Sequence, residues 1–99
     1  MLNINKTIEN GKALFALGGR LDTTTAPELE KALRESLPGV NELTLDFAAL
    51  DYISSAGLRV LLSAQKIMSR QGSMKIRNVN ETVLEIFEVT GFSDILTIE

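Results

Sequence analysis

The sequence predicts an α/β domain on a mixed sheet of four to five strands, an N-terminal hairpin followed by parallel βα units, covered by helices. Three observations carry this. An opening segment of alternating apolar and polar residues leads into Asn10-Gly11, a pair that favours a tight hairpin because both residues tolerate positive φ. Beyond it, segments of period two alternate with segments of helical period, as parallel crossovers require. The 99 residues suffice for one core and are too few for two, so residues 1–99 are expected to form a single domain.

Leu2-Asn3-Ile4-Asn5 alternates as a half-buried strand should. Ala13 to Leu17 is continuously apolar, which predicts a second strand covered on both faces, and Gly18-Gly19 is expected to end it. Thr23-Thr24-Thr25-Ala26-Pro27-Glu28 reads as a helix start: Thr25 as cap, Glu28 three residues later as in a capping box, and Pro27 in the tolerant first turn. Leu29, Ala32, Leu33 and Leu37 then fall at helical spacing, with Glu30, Lys31, Arg34 and Glu35 on the other side, until Pro38-Gly39 stops the helix. Leu43, Leu45 and Phe47 alternate with Thr44 and Asp46 as a third strand. A helix is expected from about Ser55 to Arg70, closed by Gln71-Gly72. Met74 and Ile76 alternate with Lys75 and Arg77 as a fourth strand. Asn80 caps a further helix carrying Val83, Leu84 and Phe87, which Gly91 terminates. Ile95 to Ile98 is a candidate for a short last strand. In such sheets, ligands and partners meet the loops at the carboxyl ends of the strands, here Gly18 to Thr25 and Asp46 to Ser55.

At 100° per residue, Arg59, Ser63, Lys66 and Arg70 of the second helix form one polar stripe. Val60, Leu61, Ala64, Ile67 and Met68 lie opposite, and Leu58 and Leu62 widen the apolar arc past half the circumference. That surplus is expected either to pack on neighbouring helices or to be left for a partner.

Composition removes whole classes of chemistry. There is no Cys and no His, so disulfides, thiolate nucleophiles, Ser-His-Asp triads and thiolate or imidazole metal sites are excluded. No Asp-rich calcium loop, phosphate-binding glycine loop or paired carboxylate site is visible, so no catalytic residue, metal or cofactor is expected. A net charge of −3 argues against nucleic acid. No apolar stretch approaches a membrane span, and Met1-Leu2-Asn3-Ile4 lacks the pattern of a signal peptide. The expectation is a cytoplasmic protein without a membrane partner.

The segment Asp51-Tyr52-Ile53-Ser54-Ser55-Ala56-Gly57-Leu58 sets two hydroxyls at the mouth of the second helix. One serine suffices as a cap, stabilising the helix by about 1 kcal/mol. The second is open to another use, and a helix N-terminus tolerates an added phosphate. Asp46 and Asp51 are expected near that charge. Gly57 stands in the first turn, where alanine makes the better helix but glycine lets a bulky group approach.

These residues resemble a known family. Leu45-Asp46-Phe47, followed by Tyr52-Ile53-Ser54-Ser55-Ala56-Gly57-Leu58, is similar to the signature of STAS domains, specifically bacterial anti-sigma factor antagonists (anti-anti-sigma factors). Gly19-Arg20-Leu21-Asp22 followed by Thr25-Ala26 resembles the family's loop before its first helix. Val83-Leu84-Glu85-Ile86-Phe87 with Thr90-Gly91-Phe92 resembles its third helix and the ending of that helix. The likeness covers nearly all of the chain and implies one STAS-like domain. In this family an anti-sigma factor, itself a serine-protein kinase, holds a sigma factor inactive. The unphosphorylated antagonist binds it and frees the sigma factor, phosphorylation ends the binding, and a PP2C-type phosphatase resets the cycle. The family's phosphorylated residue lies two positions before the glycine, which carries over to Ser55. The expected partner-binding residues are Asp22, Asp46, Ser54, Ser55, Ala56, Gly57 and Arg59. Many antagonists have Asp before the phosphorylated residue, where Ser54 stands here, and Ala56 replaces the residue after it. Asp22 has an equal alternative as a loop cap. The second functional reading is a constitutive STAS interaction or scaffold module whose serines only cap the helix.

Overall fold

Asn10 (φ 51°) and Gly11 (φ 77°) both take left-handed conformations, the requirement of a tight two-residue hairpin turn. They join β1 (Leu2–Glu9) to β2 (Lys12–Leu21) in an antiparallel ladder running from Leu2↔Gly19 to Glu9↔Lys12. The computed structural model describes residues 1–99. Two helical crossovers, α1 (Ala26–Ser36) and α2 (Ser55–Gln71), add β3 (Glu42–Ile53) and β4 (Ser73–Arg77) parallel to β2. The sheet order is β1-β2-β3-β4. Helix α3 (Glu81–Thr90) and a 3₁₀ turn (Phe92–Asp94) follow. The candidate fifth strand is a single bridge, in which Ile76 N donates to Thr97 O and Glu99 N to Ile76 O. No helix is long and apolar enough to cross a membrane.

Only one face of the sheet is covered. Ala13, Phe15 and Leu17 of β2, Leu43, Leu45 and Phe47 of β3, and Met74 and Ile76 of β4 are buried in one core with the helices. The intervening Leu14, Ala16, Thr44, Asp46, Lys75 and Arg77 are half-buried. The expectation that Ala13 to Leu17 is covered on both faces is therefore corrected. The apolar run alternates in burial because all three helices pack on the same side.

Gly18-Gly19 do not end β2 either, and Asp46 to Ile53 is strand rather than loop. Pairing with β3 carries β2 on to Leu21. The register runs Ala16↔Asp46, Gly18↔Ala49, Gly19↔Leu50, Arg20↔Tyr52, Leu21↔Ile53, so β3 gains one extra residue at each of two bulges. The bulges re-aim the strand so that Leu50 and Ile53 face inward with Leu43, Leu45 and Phe47, and all five are buried. Residues with no period-two pattern still form a strand, because each bulge breaks the alternation once.

The surplus apolar arc of α2 is absorbed by burial. Leu58, Val60, Leu61, Ala64 and Met68 are buried and Leu62 is half-buried, while Ile67 stays 39% exposed. The stripe Arg59, Ser63, Lys66 and Arg70 is exposed throughout. Helix α2 closes at Gly72, and Gly91 in the left-handed conformation ends α3. Asn80 caps α3 by accepting from Val83 N at 2.8 Å.

Candidate functional site

Parallel pairing of β2 with β3 sets the ends of both strands side by side. Ser54 N donates to Leu21 O at 2.8 Å, one residue beyond the Leu21↔Ile53 pair. The turn that leaves β2 at Asp22 thus lies against the mouth of α2 at Ser54. The carboxyl ends of the two segments read as loops in the sequence meet here, just beyond the strands that most of them form.

The two serines at this mouth have separate situations. Ser54 is the N-cap, extended in backbone (φ −99°, ψ 176°), and its hydroxyl accepts from Gly57 N at 3.4 Å. Ser55 is the first helical residue, and its side chain is exposed. The cap is complete without it. Ala56 is half-buried, and Arg59 is exposed one turn below Ser55. A shallow depression joins Ala56, Arg59 and Ser63 to Thr23, Pro27 and Glu30 across the mouth.

Gly57 is buried and does not form part of the outer surface. A Cβ at this position would lie 2.7 Å from both Ile53 Cγ1 and Leu21 Cγ. The bulky group that glycine admits is therefore internal: the paired ends of β2 and β3, on which the first turn of α2 sits. The expected partner contact at Gly57 is corrected on this ground.

Asp22 organises the neighbouring turn. Its Oδ1 accepts from Thr24 Oγ1 at 2.7 Å, Thr24 N at 3.0 Å and Thr25 N at 3.1 Å. These bonds favour the ionised carboxyl, the Thr24 hydroxyl most strongly, and lower its pKa from 3.8 to about 2. The expected capping box does not form. Thr25 makes no side-chain cap and instead braces the turn, its Oγ1 accepting from Asp22 N and donating to Arg20 O, each at 2.8 Å. Asp22 takes the capping work because it stands before the turn, where its carboxylate reaches the free amides.

This geometry has a pH signature. A carboxyl whose pKa is depressed on folding contributes stability above its unfolded pKa, and loses it as pH falls through the folded value. Asp22→Asn keeps the acceptor oxygen and removes the charge. The parent should therefore be more stable than Asp22→Asn at about pH 5, with the gap closing between about pH 4 and about pH 2. Urea denaturation of both proteins across this range checks it. A gap that stayed constant down to the lower pH would count against the ionised turn.

Asp46 is not brought to this mouth. Five ladder positions separate the Asp46↔Ala16 pair from Ile53↔Leu21, roughly 16 Å along the strand. Asp46 also points to the open face of the sheet, where it accepts from Ala48 N at 2.9 Å, Asn78 Nδ2 at 3.1 Å and Arg77 Nε at 3.3 Å. The Ala48 amide, then Asn78 and Arg77, hold its carboxyl below the usual range. Its role beside the serines is corrected: strand parity turns it to the opposite face. Asp51 is exposed at the second bulge.

Two residues of the site carried no isolated signal in the sequence. Arg20, the neighbour of Tyr52 in the ladder, stacks its guanidinium over the Tyr52 ring at 4.5 Å and lies 3.7 Å from Asp22 Oδ2. The aromatic lead-in to the serines and the acidic turn are thus tied through one cation. Only the bulged register makes Arg20 and Tyr52 neighbours.

The fold is a one-sided α/β domain that sets a capped, serine-bearing helix mouth beside a hydrogen-bonded acidic turn. The STAS domain family model matches residues 3–99, and the chain belongs to that family. BtrV of Bordetella bronchiseptica, named as an anti-sigma factor antagonist, is 36% identical over 91 residues, covering 90% of this chain and 78% of BtrV. The anti-sigma-B factor antagonist of Bacillus subtilis is 28% identical over 100 residues, covering 98% of this chain and 92% of the relative. The Bacillus anti-sigma factor antagonist SpoIIAA shares the fold. Its unphosphorylated form superposes with a TM-score of 0.83 at 16% identity, over 98% of this chain and 88% of its own. Its phosphorylated form gives 0.74 at 15% identity, over 100% and 91%.

Proposed function

We propose that this chain is an anti-sigma factor antagonist that binds an anti-sigma factor with serine-kinase activity while Ser55 is unmodified, and is released when that kinase phosphorylates Ser55. A sigma factor is freed in the first state and recaptured in the second, and a PP2C-type phosphatase resets Ser55. The protein acts by binding, in the cytoplasm, and is not itself a catalyst.

The observation that carries this reading is the division of labour at the helix mouth. Ser54 supplies the cap and Ser55 is exposed at the first helical position, so a phosphate added there changes the surface without removing a structural bond. The docking surface comprises Ser55, Ala56 and Arg59 with the Asp22 turn. Kinship with relatives named as anti-sigma factor antagonists supports the partner class.

The constitutive scaffold reading has one residue in its favour: Ser54 stands where many antagonists carry an acidic residue. Intact mass spectrometry of protein from its native cells separates the two. The switch requires a mass increment of about one phosphate, removed by phosphatase and absent from Ser55→Ala. Protein that stays unmodified under every growth condition, yet retains its partner, would establish the scaffold instead.

A further inference from the structure

One cation at the serine mouth has no partner. Arg20 is paired with Asp22, Arg34 with Glu30 and Arg77 with Asp46. Arg59 and Arg70 are exposed and join none of the ion pairs of the molecule. Arg70 lies in the last turn of α2, where the helix dipole favours a cation. Arg59 lies near the opposite end, where the dipole offers a cation nothing.

Arg59 stands four residues beyond Ser55, so the two share one face of α2, with Cβ atoms about 5–6 Å apart. A long side chain on a helix covers the turn on the N-terminal side of its own Cα. For Arg59 that is the turn Ser55 begins. The carboxylates around the pair are engaged elsewhere or stand apart. Glu30 lines the same depression as Arg59, but its Oε1 accepts from Arg34 Nη2 at 2.7 Å. Asp22 accepts from Thr24 and Thr25 and lies beside Arg20. Asp51, exposed on β3, is not paired with Arg59.

On the assignment of Ser55 as the modified residue, we propose that Arg59 is the counterion of its phosphate. In the unmodified protein the guanidinium is free and belongs to the docking surface. In the modified protein it lies back over the first turn and pairs with the phosphate oxygens, in the favoured order of anion four residues before cation. Phosphorylation then changes the surface twice. It adds a charge of about −1.5 to −2, and it withdraws the one unpaired arginine of the mouth.

Phosphoserine introduced in place of Ser55 during synthesis of the full chain supplies the phosphate without any kinase. In a titration followed by phosphorus NMR, its second ionisation should fall at lower pH in the parent than in Arg59→Gln, because a neighbouring cation favours the dianion. Arg59→Lys should lie between the two, since it keeps the charge and loses the planar fork. Melting temperatures of the parent and Arg59→Gln, each with and without the phosphate, give the coupling. The phosphate should raise the melting temperature of the parent more than that of Arg59→Gln, whereas a merely structural role of Arg59 would lower both forms alike. Identical titration curves for the parent and Arg59→Gln, or an identical response of their melting temperatures to the phosphate, would overturn the proposal. Because the phosphate is built in, that failure removes only the counterion, while a Ser55 never modified in native cells removes the switch itself.

Discussion

Gly57→Ala is expected to destabilise the protein by about 1–3 kcal/mol, although alanine is the better helix former by about 1 kcal/mol. The added methyl group would sit 2.7 Å from Leu21 Cγ and from Ile53 Cγ1. Both side chains are fully buried, so neither can swing aside into solvent. Relief requires the first turn of α2 to lift from the strand ends. That movement strains the Ser54 N to Leu21 O bond, which holds the two loops together. The effect should appear as a fall in melting temperature of about 4–8 °C for each kcal/mol in a domain of this size. Thermal denaturation of the parent and the variant checks it. An equally stable Gly57→Ala protein would show that the contact relaxes at no cost, and that glycine is not needed to seat the helix.

Ser55→Asp is expected to weaken binding to the anti-sigma partner roughly tenfold or more, since a charge placed in a docked surface loses its water. Its folding stability should be unchanged or slightly raised, because an acidic residue at the first helical position suits the helix dipole. Helix α2 has no acidic residue in its first turn to compete. Ser54→Ala should behave in the opposite way. It removes the cap and costs about 1 kcal/mol of stability, while the exposed hydroxyl of Ser55 remains available for modification. Measuring affinity and melting temperature for both variants separates the two hydroxyls. Loss of stability in Ser55→Asp, or full binding by it, would remove the assignment of Ser55 as the switch. The contrast rests on a single bond, from Gly57 N to Ser54 Oγ.

Much of this architecture was legible from local chemistry. Asn10-Gly11 turned the hairpin, Asn80 and Gly91 bounded α3, and the alternation of Leu43, Leu45 and Phe47 marked the inward face of β3. Each signal acts within a few residues, through backbone conformation, capping or side-chain period, and so survives in the sequence. Where the reading fell short, the deciding interaction was distant. Gly18-Gly19 looked like the end of β2, but pairing with β3 outweighed two poor strand formers. The segment after Phe47 looked like loop because two bulges broke its period. Asp46 looked like a neighbour of the serines because they are close in sequence, whereas strand parity turned it to the other face.

By itself the sequence determined the order of elements, the absence of His and Cys chemistry, and the placing of two hydroxyls where a helix begins, since each of these depends on residue identity and short spacing alone. The tertiary structure decided which hydroxyl is spent on the cap, that Gly57 answers to Leu21 and Ile53, and that Arg20, Tyr52 and Asp22 stand together at the mouth. Those outcomes turn on the register between β2 and β3 and on the packing of α2 across both strands. The contacts of Gly57 with Leu21 and of Arg20 with Tyr52 join residues tens of positions apart, and no local pattern encodes them.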